Sequence, residues 1–320
     1  MEENLDTPPQ AGGFRRILLC VDSSEASECA DTIVRRLARP DFEVTLAAVA
    51  QDSRLLATSV EHDVSLEEAE RVIEKARNAL ADVAVAVHTR VIDLAKETGD
   101  VAGALTRSAR EHRTELVIVA VRQHHGLVRW FEPSAVDTLS RLGPYGIVVA
   151  PAGFASGRDV ALQRILFAID GSPTSFAALA TGVMLATPDT QIRVVYVVDR
   201  AVRSGGAAPT AILEDTFVKE GERAIATASE MLHSHRTHSR LQFSADLIRT
   251  DVSSDDISRA LLHDAERWHA DLMVMGTHGR RGDARSYLGS VPNKVASLAK
   301  IPVFLVHERH DGNDHSAAAE

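Results

Sequence analysis

The chain has 320 residues, 45% of them hydrophobic and 25% charged, with a formal net charge of −10 at pH 7. That length suffices for two domains of ordinary size, each with its own core. The acidic balance and the 4% aromatic content exclude a basic nucleic-acid groove or a base-stacking platform as the main function, and no run approaches the ~18 apolar residues of a membrane span.

In chain order, residues 1–13 are polar and hold Pro8, Pro9, Gly12 and Gly13. They read as disordered, and they have neither the apolar core of a signal peptide nor the acid-poor, arginine-rich character of a transit peptide. The expected location is cytoplasmic. The first strand follows at Arg16–Asp22, closed by Ser23 and Ser24. Its Cys20 reads as a small core residue. Cys29 falls in the next helix, and without Cys-x-x-Cys spacing the two imply no disulfide framework. Further strands are expected at 44–50, 87–92, 115–119 and 146–149. Helical patterns join them at 27–38, 66–83 and 99–112.

The second half repeats the first. Arg164–Asp170 matches Arg16–Asp22 at an offset of 148 residues, and 192–198 matches 44–50 at the same offset. Beyond that the offset becomes 156, pairing 243–248 with 87–92, 271–275 with 115–119, and 302–305 with 146–149. An insertion of eight residues between 198 and 243 accounts for the change, and Ser204–Pro209 is its expected place. Helices are expected at 174–186, 211–233 and 254–268. Strands alternating with helices predict βαβ units, so each half is an α/β domain with an open, doubly wound parallel sheet. The expected boundaries are 14–151 and 162–307, with a linker at 152–161 and a polar, disordered tail at 308–320.

The stretch richest in chemistry is Met275-Gly276-Thr277-His278-Gly279, followed after nine residues by Gly289-Ser290. A buried strand leads into it, and a helix with apolar positions 291, 295, 298 and 299 leads out. Ser290 reads as the N-cap and Pro292 as a first-turn residue. Gly276 and Gly279 allow positive φ and close backbone approach, and the helix start adds unpaired N–H groups, which together suit a phosphate. His278, Arg280 and Arg281 add donors. No Gly-Lys-Ser/Thr follows, so this is not a P-loop.

The pattern Gly-x2-Gly-x9-Gly-Ser resembles the nucleotide motif of the universal stress protein family, and Ile301–Val306 resembles that family's last strand. The resemblance implies a Rossmann-like fold with strand order 3-2-1-4-5 and a crevice between strands one and four. It implies ATP or AMP as ligand, with Mg as the accompanying ion. It places Asp170 against the adenosine part, Ala168 on the adenine side and the Val197 backbone at the adenine edge. Met275, Gly276, His278, Gly279, Arg280, Gly289, Ser290 and Val291 form the rest of the set.

In the first half Ala120, Gln123 and Pro133 stand where the glycines would be, although Asp22 and Ser134 are kept. That half is expected to act as a scaffold or as a site for another ligand, as in the tandem branch of the family that Trp130–Ser134 resembles. The histidines at 233, 235 and 238, and His124-His125, complete no zinc set, and no Ser-His-Asp or Cys-His arrangement is legible. A nucleotide-binding regulatory protein with an unidentified protein partner is therefore expected. A weak ATPase or phosphoryl-transfer enzyme and a nucleotide-independent interaction module are the alternatives. The apolar last strand of each half would leave an exposed edge. Antiparallel pairing of the two edges would make an internal pseudo-dimer, which a further homodimer could extend.

Overall fold

The computed structural model describes residues 14–39, 41–50, 65–97, 99–121, 138, 139, 143, 145–151, 154, 161–200, 210–236, 241–250, 256–280 and 288–307. The strands of the first half are β1 (Arg16–Cys20), β2 (Glu43–Ala50), β3 (Ala86–Asp93), β4 (Leu116–Val121) and β5 (Gly146–Pro151). Those of the second are β6 (Arg164–Ile169), β7 (Gln191–Val198), β8 (Gln242–Arg249), β9 (Leu272–Gly276) and β10 (Val303–Val306). Helices α1 (Glu25–Leu37), α2 (Leu66–Ala79) and α3 (Val101–Glu111) serve the first half. Helices α4 (Pro173–Gly182), α5 (Thr210–Arg236), α6 (Ile257–Trp268) and α7 (Ser290–Leu298) serve the second.

All ten strands form one sheet in the order β3-β2-β1-β4-β5-β10-β9-β6-β7-β8. Each half is parallel with the order 3-2-1-4-5, as expected from the motif. Among the described residues the one antiparallel pairing is β5 with β10, where Phe304 lies opposite Val148 and Val303 opposite Val149. The last strands are thus hidden in each other, and the free edges pass to β3 and β8. Both edge strands are half exposed along their length and carry charged residues such as Arg90 and Asp246, which discourages pairing with another chain.

Both faces of the sheet are covered. One core joins α1 and α2 to α4 and α5, and the other joins α3 to α6 and α7, each running through both halves. The seam is packed as an interior. Phe304 is fully buried and meets Phe14 edge-on at 5.6 Å between ring centroids. Gly146 leaves the space for its ring, since a Cβ there would lie 2.4 Å from it. Arg36 of α1 crosses the seam to Asp271 at 3.1 Å, while the other Asp271 oxygen accepts from the Gln163 and Arg164 N–H groups.

The second half's long helix α5 has 27 residues against 14 for its counterpart α2. The stretch expected to hold the insertion, 204–209, and the segment before α2 that corresponds to the start of α5 lie outside the described residues. One sequence expectation is corrected. On α7 the buried positions are Pro292, Val295, Ala296 and Ala299, whereas Leu298 is 48% exposed. Leu298 thus lies outside the buried face, and Ala296 belongs to it.

Candidate functional site

The crevice opens where β6 and β9 end side by side, at the point where the strand order reverses. Ala168 pairs with Met275 across it. Ala168 and Met275 are buried, and Val197 and Val291 pack half-buried against the same apolar cluster. Four residues from four elements thus make one apolar wall at the carboxyl ends of the strands.

Asp170 sits at the centre. Its Oδ1 accepts from the Ser172 N–H at 3.0 Å and the Ser172 hydroxyl at 2.6 Å. Ser172 in turn caps α4 by accepting from the Ser175 N–H at 3.2 Å. Gly171 allows this turn with φ +82°. The other oxygen, Oδ2, accepts from the Arg280 N–H at 2.9 Å, tying the turn to the loop after β9. Ser175 was not singled out by sequence, yet Asp-x-Ser-x-x-Ser recurs as Asp22, Ser24 and Ser27 at the repeat offset, which was the available signal.

The three motif glycines do different things. A Cβ on Gly279 would lie 2.5 Å from Asp170 Oδ2, and one on Gly276 would lie 2.9 Å from the Thr174 methyl and 3.1 Å from its backbone. Both are required by the protein's own packing. Neither has positive φ, which among the described glycines belongs to Gly99 and Gly171. Of the two properties the sequence offers for these glycines, positive φ and close approach, the structure uses close approach, here to the protein itself. Gly289 differs again: φ is −62°, and a Cβ would meet only ordinary contacts of 3.4 Å and beyond. Nothing within the described residues demands glycine there.

Gly289, and not Ser290, is the N-cap of α7, and no side chain caps the helix. The Gly289 N–H donates to the Thr277 carbonyl at 2.8 Å, which closes the loop against the helix start. The Ser290 and Val291 N–H groups find no acceptor among the described residues. By contrast α4 is capped by Ser172 and α6 by Asp256. The sequence suggested serine because serine is a good cap in general. Here Gly289 already has the extended ψ of 159° that the cap position needs, which pushes Ser290 into the first turn.

The cationic groups are already engaged. Arg280 donates to Glu220 of α5. The Glu220 carboxylate, with Tyr196 beside it, holds the guanidinium pKa above its ordinary value. Burial raises the Tyr196 hydroxyl, and Arg280 opposes the rise. Tyr196 is buried under Gly221, where a Cβ would lie 2.7 Å from the ring. His278 turns sideways, its Nδ1 3.1 Å from the Thr277 hydroxyl, which also meets His307 Nδ1 at 3.1 Å. Glu220, Tyr196 and His307 had no readable spacing to Arg280 or His278. Arg281 lies outside the described residues.

In the first half Asp22 repeats the turn, with Oδ1 accepting from the Ser24 N–H at 2.9 Å, the Ser24 hydroxyl, and the Ser27 hydroxyl at 2.9 Å. Ala120 is buried at the end of β4. Gln123, His124, His125, Trp130, Pro133 and Ser134 lie outside the described residues, as does the Cys29 side chain. Cys20 is buried as a free thiol. Of the histidines near 235, His233 packs edge-on against Phe243, and the side chains of 235–238 lie outside the described residues. Among the described residues no group of three or more His, Cys, Asp or Glu could hold a metal, and no helix is long and apolar enough to cross a membrane.

Comparison with known proteins agrees with this geometry. The model of the universal stress protein family matches residues 13–150 and again 161–307. A universal stress protein of Mycolicibacterium smegmatis is 28% identical over 316 residues, covering 92% of this chain and 97% of the relative. One from Methanocaldococcus jannaschii is 28% identical over 147 residues, covering 45% of this chain and 81% of the relative. Among solved structures, a universal stress protein from Archaeoglobus fulgidus superposes with a TM-score of 0.60 at 16% identity, covering 94% of this chain and 99% of that one. A protein from Pseudomonas aeruginosa superposes at 0.54 and 13% identity, covering 93% and 94%. The chain belongs to the universal stress protein family, as a tandem of two family units.

Proposed function

We propose that the second half binds one adenine nucleotide, ATP or AMP, and that the protein is a nucleotide-responsive regulator of the stress response. The adenine lies on the wall of Ala168, Val197, Met275 and Val291, with the Val197 backbone at its edge. The ribose hydroxyls donate to Asp170, whose two oxygens have lone pairs left after the bonds to Ser172 and Arg280. The phosphates lie over Gly276–Gly279 and the start of α7, with Arg280 and His278 at their flank. A Mg ion would arrive bound to the phosphates, because no described cluster could hold it by itself.

The carrying observation is the start of α7. It has no side-chain cap, two N–H groups without an acceptor among the described residues, and a glycine at the cap that no described neighbour requires. A helix N-terminus left open in this way suits an anion, and glycine there leaves room for it to reach the backbone.

This also selects the test. A side chain at Gly276 or Gly279 would collide with Thr174 or Asp170, so binding and folding would be lost together. Gly289→Val leaves the fold intact and fills the cradle. Calorimetry should show ATP binding to the full chain, and at least a ~10-fold loss in Gly289→Val with the melting temperature unchanged. Equal ATP affinity in that variant refutes the proposed cradle.

A further inference from the structure

We propose that Thr277 is the positioning residue for His278: its hydroxyl sets which ring nitrogen carries the proton, so that His278 offers Nε2–H to a phosphate, and His307 takes the complementary form. This rests on the reading of the second half as a nucleotide site.

Thr277 is 1% exposed and is held from three sides. Its N–H donates to the Val306 carbonyl at 2.9 Å, at the end of β10, and its carbonyl accepts from the Gly289 N–H at 2.8 Å, at the start of α7. Its hydroxyl oxygen lies 3.1 Å from His278 Nδ1 and 3.1 Å from His307 Nδ1. The two rings stand edge to face, with centroids 5.9 Å apart and planes at 68°. One buried hydroxyl is thus shared by two imidazoles, one in the cradle loop and one just past the last strand.

The hydrogens can be counted. A hydroxyl has one hydrogen and two lone pairs, and a neutral imidazole has one N–H and one bare nitrogen. The hydroxyl donates to one Nδ1 at most, so the other Nδ1 must carry a proton and donate to the hydroxyl oxygen. If both Nδ1 atoms carried protons, the hydroxyl hydrogen would be buried with no acceptor among the described residues, which is costly. One ring therefore has its proton on Nδ1 and the other on Nε2. A phosphate decides which. Its oxygens are acceptors, so a ring beside it must present an N–H, and with Nδ1 turned to Thr277 that N–H is on Nε2. His278 then has a bare Nδ1 that takes the Thr277 hydrogen, and His307 donates from its own Nδ1. The proton on His307 follows the ligand at His278.

The repeat supports a task outside folding. Val121 and Pro151 stand at the places of Thr277 and His307, opposite each other at the end of the β4–β5 register. Neither side chain can hydrogen-bond, so the same strand ends form without this bridge. It occurs in the half that keeps the motif glycines.

Two-bond 1H–15N spectra of the full chain, labelled at histidine and assigned with His278→Gln and His307→Gln, read the protonated nitrogen directly. They are recorded in saturating ATP at about pH 8.5, roughly two units above the ordinary imidazole pKa. The expected result is His278 protonated on Nε2 alone and His307 on Nδ1 alone. Thr277→Val installs the first half's residue and removes the hydroxyl. By calorimetry it should weaken ATP binding about 5-fold, whereas Thr277→Ser, which keeps the hydroxyl, should stay within about 2-fold of the wild type. With ATP bound, a His278 protonated on Nδ1, both rings in the same tautomer, or a serine variant as weak as the valine one overturns the proposal, as does equal affinity in Thr277→Val. A wild-type chain that binds no ATP overturns the second-half reading, and this inference with it.

Discussion

At the end of β1 the Asp22 carboxylate gathers three donors from its own turn onto one oxygen. At the end of β6 the Asp170 carboxylate holds two donors on one oxygen and reaches across the crevice with the other to the Arg280 N–H. The duplicated Asp-x-Ser-x-x-Ser turn is therefore needed twice for the same structural purpose, ordering the entry into α1 or α4. What differs is the loop opposite. In the first half Gln123 and Pro133 stand at two of the glycine positions, in a stretch outside the described residues, and Asp22 Oδ2 has no partner among the described residues. The turn recurs because each half uses it to order a helix start, and in the second half the loop opposite is tied to it as well.

The comparison depends on the two halves being one body, and the seam is where it breaks most easily. Val148→Glu with Phe304→Glu puts two carboxylates opposite each other, at positions with 0% exposure. Each buried, unpaired charge costs several kcal/mol, against a total stability of about 5–15 kcal/mol. The double variant should lose cooperative melting, and small-angle scattering should change from one compact particle to an expanded one. An unchanged melting curve would mean that the β5–β10 pairing contributes little to holding the halves together.

A smaller effect sharpens the comparison of the two aspartates. An asparagine has one acceptor oxygen where a carboxylate has two. At position 170 that oxygen can serve Ser172 or the Arg280 N–H, and the amide nitrogen then faces a donor. Asp170→Asn should therefore cost about 1–3 kcal/mol. At position 22 all three donors meet one oxygen, which the asparagine amide oxygen can still offer at reduced strength, so Asp22→Asn should cost less, about 0.5–1 kcal/mol. Urea unfolding of the two variants measures the difference directly, and equal losses would show that the link to Arg280 carries no weight.

Most of the architecture was legible in the sequence because it rests on local pattern and on repetition. Apolar runs such as Arg16–Val21 and Arg164–Ile169 could hardly be other than buried parallel strands, and the offset between them tied the two halves together before any contact was known. The apolar last strands, with no other way to hide, pointed to the pairing of β5 with β10. The site was legible only where a motif carried it. The roles of Gly276 and Gly279 were not, because the groups that need their missing Cβ, Thr174 and Asp170, lie about a hundred residues away. The Arg280–Glu220 pair and the Tyr196–Gly221 contact depend on how α5 lies across β7, and no spacing in the chain encodes that.

The smallest predicted effect concerns that same α5. Glu220 meets Arg280 at the rim of the cradle, with side chains 28% and 44% exposed. An incoming phosphate must share the guanidinium with this carboxylate, and it also feels the carboxylate's charge. Glu220→Gln removes the charge while leaving an amide oxygen that can still hold Arg280 in place. The first half offers no matching pair among the described residues, so the change acts on one site only. Because exposed pairs are worth little and salt screens them, the gain in ATP affinity should be about 2–5-fold at low ionic strength, shrinking as salt is added. Binding curves at two salt concentrations decide between two roles for Glu220. Tighter binding that fades with salt marks it as a competitor for Arg280, whereas weaker binding would show that it positions Arg280 for the phosphates.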